Sequence, residues 1–227
     1  MTLSVVIPVI DEEARIGARL AELATLGVDE VIVADGGSRD GTVRIARAHD
    51  GVRVVVAPRG RGQQMNAGAR EAAGDVLLFL HADAQLPVDA AAWIARALAD
   101  PQVVAGAFRL RTVADVGRNW LGPFLRIADI RSHVTTLPYG DQALFVRRDA
   151  FEAVGGFPPE PLMEDIGLVR RLRRMGRIVT VPAYVRVSGR RFLQHPIAGT
   201  LAMWTFPSLQ RVGVPPRWLA RLYGNPR

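Results

Sequence analysis

The sequence predicts an α/β fold, a mostly parallel sheet flanked by helices. Short β-branched or aliphatic runs alternate with segments whose apolar residues recur at helical spacing, over roughly the first hundred residues. Acidic residues also stand at the ends of two of these runs, at Asp35 in VIVADGGSRDGT and at Asp83 in VLLFLHAD. An open α/β sheet receives its ligands just beyond the carboxyl ends of its strands, so acids at those points are placed to meet one.

Val5 to Val9, Val31 to Ala34, Val52 to Ala57 and Val76 to Leu80 read as strands covered on both faces. Between them, Ile16, Leu20 and Leu23 mark a first helix, Val43 and Ala46 a second, and Met65, Ala69 and Ala72 a third. Strand, helix, strand at this spacing implies parallel pairing with right-handed crossovers. A fourth helix begins near Pro87 and ends before Asp100 and Pro101. The second half is less regular. Val103 to Arg111, Tyr139 to Val146 and Ile178 to Val181 read as strands, Glu164 to Met175 as a helix, and residues 116–130 as a helix interrupted by Gly122 and Pro123.

Composition excludes several chemistries. The chain has 227 residues, 49% of them hydrophobic, enough for a substantial core. It has no cysteine, which removes disulfides, thiol nucleophiles and thiolate metal sites and restricts any metal to oxygen or imidazole ligands. Every one of its 29 Lys and Arg residues is arginine. A Walker-type phosphate loop and Schiff-base chemistry both need lysine and are excluded. The net charge of +7 favours anionic ligands such as nucleotide diphosphates, acidic acceptors or lipid headgroups, although nucleotide composition of the source genome is an alternative explanation of the arginines. No nucleic-acid motif accompanies the charge. The start, MTLSVVIPVIDEEAR, does not read as a signal peptide, and no segment approaches the roughly 20 apolar residues of a spanning helix. The expectation is a cytoplasmic protein.

Two loops carry candidate chemistry. In DGGSRDGT the glycines let the backbone approach a ligand, and Asp35 can accept hydrogen bonds from a base N–H or a ribose hydroxyl, while Ser38 or Asp40 is expected to cap the next helix. In PRGRGQQMNAG, Arg59 and Arg61 offer fixed positive charge to a diphosphate; the alternative is a solvated loop leading into a helix. The glycine-rich fingerprint of a dinucleotide-binding protein is missing after the first strand, where IDEEAR stands instead. Asp83 follows a strand with buried Phe79 and Leu80, where a carboxylate needs a cation or donors, and one Asp with a diphosphate and water suffices for magnesium or manganese. His81, two residues earlier, lies on the same face if the strand continues, as a metal ligand or as a core histidine.

SVVIPVIDEEARI, VIVADGGSRDGT, GRGQQMNAG, LLFLHAD, YGDQALFVRR, VGGF and MEDIGLVRRLRR, in this order from Leu3 to about Met175, closely resemble a family-2 glycosyltransferase. The resemblance is greatest to the small bacterial branch described as radical-SAM/selenodomain-associated transferases, linked to arsenosugar biosynthesis. It implies the glycosyltransferase A-type fold, a Rossmann-like, mostly parallel sheet with a smaller mixed sheet on the acceptor side. It also implies a single domain, with a nucleotide-sugar half at 1–100, an acceptor half at 101–196 and a helical tail at 197–227.

By resemblance, Pro8, Asp11 and Glu13 lie in the nucleotide pocket, Asp35 contacts the base, and Asn66 and Gly68 line the nucleotide site. His81-Ala82-Asp83 occupies the Asp-x-Asp position with His81 in place of the first acid, and Asp83 keeps the metal role, with Mn2+ or Mg2+ as cofactor. In Glu164-Asp165 the aspartate is the expected general base of an inverting transfer from a UDP- or GDP-sugar to a hydroxyl acceptor. The alternative use of these acids is helix N-terminal capping. Asp141 is expected on sugar hydroxyls, and Arg191 and His195 at the diphosphate or metal. The tail, with Trp204, Phe206, Trp218, Tyr223 and arginines, suits packing on the domain, a homodimer contact or peripheral contact with the inner face of the membrane. The rival readings are a nucleotidyltransferase of related fold and a non-catalytic nucleotide- or anion-binding protein.

Overall fold

The computed structural model describes residues 1–113, 138 and 140–189, together with isolated positions 205, 209, 214 and 218. Strand β1 (Leu3–Val9) leads to helix α1 (Glu13–Leu23), β2 (Glu30–Asp35), α2 (Thr42–Arg47), β3 (Val52–Val56), α3 (Arg61–Glu71) and β4 (Val76–Phe79). A short β5 (Ala84–Gln85), α4 (Ala90–Ala97) and a long β6 (Val103–Val113) follow. Beyond residue 137 come a 3-10 turn (Gly140–Gln142), β7 (Leu144–Arg147), α5 (Arg148–Ala153), α6 (Glu164–Leu172) and β8 (Arg177–Ser188).

All eight strands form one sheet in the order β3-β2-β1-β4-β7-β6-β8-β5. β1 pairs in parallel with both β2 and β4, so the chain reverses its direction of travel across the sheet at β1 and β4, and the crevice of an open α/β sheet opens there. The expected mixed acceptor-side strands are continuous with the first half. β7 runs antiparallel to β4 on one side and β6 on the other and joins the halves through main-chain hydrogen bonds.

The central strands are apolar on both faces because both faces are covered. Ile16, Leu20 and Leu23 of α1 and Ile94 of α4 pack with Val5, Ile7, Leu78, Phe108 and Val185 on one side. On the other, Met65 and Ala69 of α3 and Leu168, Val169 and Leu172 of α6 pack with Val6, Ile32, Leu77 and Phe79. Phe79 sits edge-on to Phe157 at 4.8 Å and against Phe151 at 5.2 Å.

Three expectations change. The run at Tyr139 to Val146 divides into the 3-10 turn and β7, and α5 follows at once. β8 has 12 residues, far longer than the apolar stretch Ile178 to Val181, because its far half is exposed on one face and carries polar residues there. β4 ends at Phe79, and Ala82 and Asp83 form a turn, so the same-face argument for His81 and Asp83 does not hold. The expected helix at 116–130 and most of the expected tail lie outside the described residues. Of the tail, Val214 packs against Met163 and Ile166 at the start of α6, and Trp218 is exposed. No helix among the described residues is long and apolar enough to cross a membrane.

Candidate active site

The loop after β1 and the loop after β2 interlock. Asp35, the last residue of β2, is only 4% exposed, and its carboxylate accepts the N–H of Gly37 at 3.0 Å, the N–H of Ser38 and the Ser38 hydroxyl. Ser38 thus turns back to Asp35, and its hydroxyl also accepts the Asp11 N–H at 3.0 Å. Helix capping does not use it. Asp11 holds a left-handed φ of 53° and accepts the Arg39 N–H at 2.8 Å. Glu13 accepts the Gly41 N–H at 2.9 Å and donates its own N–H to Asp40 at 3.0 Å. Asp40 also accepts the Thr42 N–H, the first of α2, at 2.9 Å. Its burial is slight, and these hydrogen bonds outweigh it and hold the Asp40 carboxyl below its ordinary value. Pro8 lies half-buried beside Ala34, one residue before β1 ends.

Helix α3 enters the same edge of the sheet. Gln64, which sequence reasoning missed, is 2% exposed and donates to Val9 O at 2.8 Å and Ala34 O at 3.0 Å, fastening the ends of β1 and β2. The signal was a polar residue beside Met65 on the buried face of an amphipathic helix. Asn66 holds both backbone groups of Phe157, donating to its O and accepting its N–H at 2.9 Å each. A Cβ at Gly68 would lie 2.4 Å from Val6 Cγ1, so this glycine allows α3 to press against β1. Arg59 is exposed. Arg61, expected at a diphosphate, has its Nε on the carboxylate of Glu164, which is 2% exposed.

Glu164 and Asp165 open α6, after Met163 in a left-handed conformation with φ 64°. Asp165 is 6% exposed; it accepts the Gly140 N–H at 2.6 Å and the Ile166 N–H at 2.8 Å. Gly140 belongs to the turn before β7, whose first residue, Leu144, pairs with Phe79 at the end of β4. The general-base candidate is therefore carried to the same edge as the ends of β1, β2 and β4. Burial opposes the charge on Arg61, but the carboxylates of Glu164, Asp165 and Asp141 outweigh it and hold the guanidinium well above its ordinary value.

His81 and Asp83 are both partly exposed beyond the end of β4, and the Ser188 N–H reaches Asp83 O at 3.4 Å, bringing the end of β8 to the same place. Among the described residues no three His, Asp or Glu side chains group to cage a cation. A partly exposed carboxylate beyond the end of β4 still fits Mg2+ or Mn2+, which keep water and phosphate ligands. Arg191 and His195 lie outside the described residues.

The profile of the family described as glycosyl transferase family 2 matches residues 4–155, well over half of the chain. The chain belongs to glycosyltransferase family 2. It is 32% identical over 165 residues to the undecaprenyl-phosphate 4-deoxy-4-formamido-L-arabinose transferase of Pseudomonas aeruginosa, covering 67% of this chain and 49% of that protein. The chain therefore spans about half the length of these curated relatives.

Solved structures agree on the fold. A mannosyltransferase from Pyrobaculum calidifontis in complex with GDP-Man and Mn2+ superposes with a TM-score of 0.70 at 23% identity, covering 97% of this chain and 67% of that one. Glucosyl-3-phosphoglycerate synthase from Mycobacterium tuberculosis, with Mn2+, UDP-Glc and phosphoglyceric acid, gives 0.64 at 26% identity, covering 94% and 80%. The glycosyltransferase A-type fold of this family-2 chain is the one the resemblance of its motifs implies.

Proposed function

We propose that this family-2 glycosyltransferase moves a sugar from a nucleoside diphosphate sugar to a hydroxyl acceptor with inversion at the anomeric carbon. The observation that carries the reading is the convergence of Asp35, Asp83 and the buried Asp165 on one edge of one sheet, from three distant parts of the chain. The neighbours crystallised with UDP- or GDP-sugars and Mn2+ support it. The shared motifs support the narrower placement in the radical-SAM/selenodomain-associated branch.

In this reading the nucleoside lies over the interlocked loops after β1 and β2, with Asp35 holding the loop that meets the base. The diphosphate lies at the crevice between β1 and β4, where Asp83 would hold Mn2+ or Mg2+. The metal, when bound, neutralises charge on the diphosphate leaving group. Asp165 takes the proton of the acceptor hydroxyl as that oxygen bonds to the anomeric carbon and the bond to the diphosphate breaks. Two backbone N–H groups fix the Asp165 carboxylate, and Arg61 neutralises Glu164 beside it, so the base is aimed without a competing negative charge.

The test is nucleoside diphosphate release from a panel of UDP- and GDP-sugars with candidate acceptors, for the wild type and Asp165→Asn. A loss of about 10²–10⁴-fold in kcat, with donor binding retained, is expected of a lost general base. Wild-type turnover in Asp165→Asn would remove Asp165 from that role. Release of pyrophosphate instead would convert the reading to nucleotidyl transfer.

A further inference from the structure

Strands β6 and β8 stay paired past the residues at which β7 joins β6, from Val103 opposite Arg177 to Val113 opposite Ser188, with the two-residue β5 along the outer side of β8, Gln85 opposite Arg186. The level of the active site along them is marked by Phe108, whose carbonyl oxygen accepts from Gln142 in the turn that also binds Asp165. Beyond that level, Leu110 and Val185 point into the core on the α4 side. Side chains alternate along a strand, so Arg109 and Arg111 on β6, with Tyr184 and Arg186 on β8, share the opposite face. That is the face on which α6 packs, through Leu168, Val169 and Leu172 against Val104, Ala105 and Ile178.

Arg111 and Arg186 are register partners and both are exposed; Arg109, one pair back, is half-buried opposite Tyr184. The Arg111 guanidinium stacks 4.8 Å from the centre of the Tyr184 ring, which holds it over the sheet. Several other arginines meet acids, as Arg15 does Glu12, Arg61 does Glu164 and Arg177 does Asp100. Among the described residues no carboxylate pairs with Arg109, Arg111 or Arg186. Like charges directly opposite on neighbouring strands destabilise a sheet, and a bound dianion reverses that cost. Planar guanidinium groups suit a phosphate because they bind its oxygens in pairs.

We infer that Arg109, Arg111 and Arg186 form a subsite for a phosphate group carried by the acceptor, beside Asp165. Calling the ligand the acceptor rests on the transferase reading; the anion site itself does not. The phosphate anchors one end of the acceptor and leaves its hydroxyl to Asp165. The same chemistry is presented by a soluble phosphate monoester and by a lipid phosphate headgroup.

The test compares wild type with Arg111→Gln/Arg186→Gln and with Arg111→Lys/Arg186→Lys, all matched for thermal unfolding. Calorimetric titration with glycerol phosphate probes the soluble source. Cosedimentation with phosphatidylcholine vesicles, with and without phosphatidic acid, probes the lipid source. Binding of either probe that weakens about tenfold or more in the Gln variant, and is partly restored by Lys, supports the subsite and identifies the source. Binding of neither probe, or equal binding by the Gln variant, overturns it. UDP and GDP titrations with Mn2+ on the same proteins keep the two readings apart. Failure of wild type to bind either nucleotide counts against the transferase reading alone, and unchanged nucleotide binding by the Gln variant shows that the lost phosphate site is a different one.

Discussion

At the scale of single residues, the site rests on acids that are tied down. Glu164 is buried with Arg61 as its counter-ion. Breaking such a pair by removing one partner leaves an uncompensated charge, which costs more than removing both. Arg61→Leu is therefore expected to lower stability by roughly 2–4 kcal/mol, with Arg61→Leu/Glu164→Leu closer to wild type, as read by denaturant unfolding in a double-mutant cycle. Asn66 answers both main-chain groups of Phe157. Asn66→Ala is expected to cost about 1–3 kcal/mol of stability, because it leaves a donor and an acceptor unpaired. A fall in nucleotide affinity with stability unchanged would return Asn66 to the lining role that the family resemblance implies. The residue types at these positions were legible in the sequence; their partners, some ninety or more residues away, were not.

At the scale of elements, the loops after β1 and β2 act as one unit, and the helices sit at distances set by small residues. Gly68→Ala would force a methyl into Val6 and is expected to cost about 1–3 kcal/mol by pushing α3 off β1, measurable as a lowered unfolding midpoint. Asp40 links α1 and α2, and its folded-state pKa lies below the ordinary 3.8 because hydrogen bonds from Thr42 and Glu13 outweigh its slight burial. Its stabilising contribution is therefore full above that ordinary value and is lost as pH falls through the lower folded value. Asp40→Asn is expected to lower the thermal midpoint at neutral pH and to converge on wild type in strong acid; a constant difference across that range would exclude this linkage. Strand and helix periodicity placed the first-half elements to within a few residues. The second half was harder because β7, α5 and β8 are decided by what they pair with: β8 is long only because β6 lies beside it.

At the scale of the whole molecule, a ligand bound as proposed at the crevice between β1 and β4 would add to the stability of the sheet that forms it. A donor nucleotide with Mn2+, at about 100 times its dissociation constant, is expected to stabilise the fold by about 2.7 kcal/mol. That gain, read as a thermal shift, is expected to fall when the metal is chelated and in Asp83→Asn. A full shift in both conditions would take the metal away from Asp83. The order of apolar runs, the acids at their ends and the lack of lysine and cysteine determined, from sequence alone, an α/β sheet and the oxygen or imidazole character of any metal site, and singled out one edge of that sheet as the candidate site. Periodicity and motif are local properties, and these are their consequences. Only the tertiary structure decided that Arg61 faces Glu164, that Gln64 fastens β1 to β2, that Asp165 reaches the edge through Gly140, and that three arginines line one face of β6 and β8. Each is a meeting of side chains or backbone groups from distant segments, fixed by sheet register and helix packing, which no local pattern in the chain encodes.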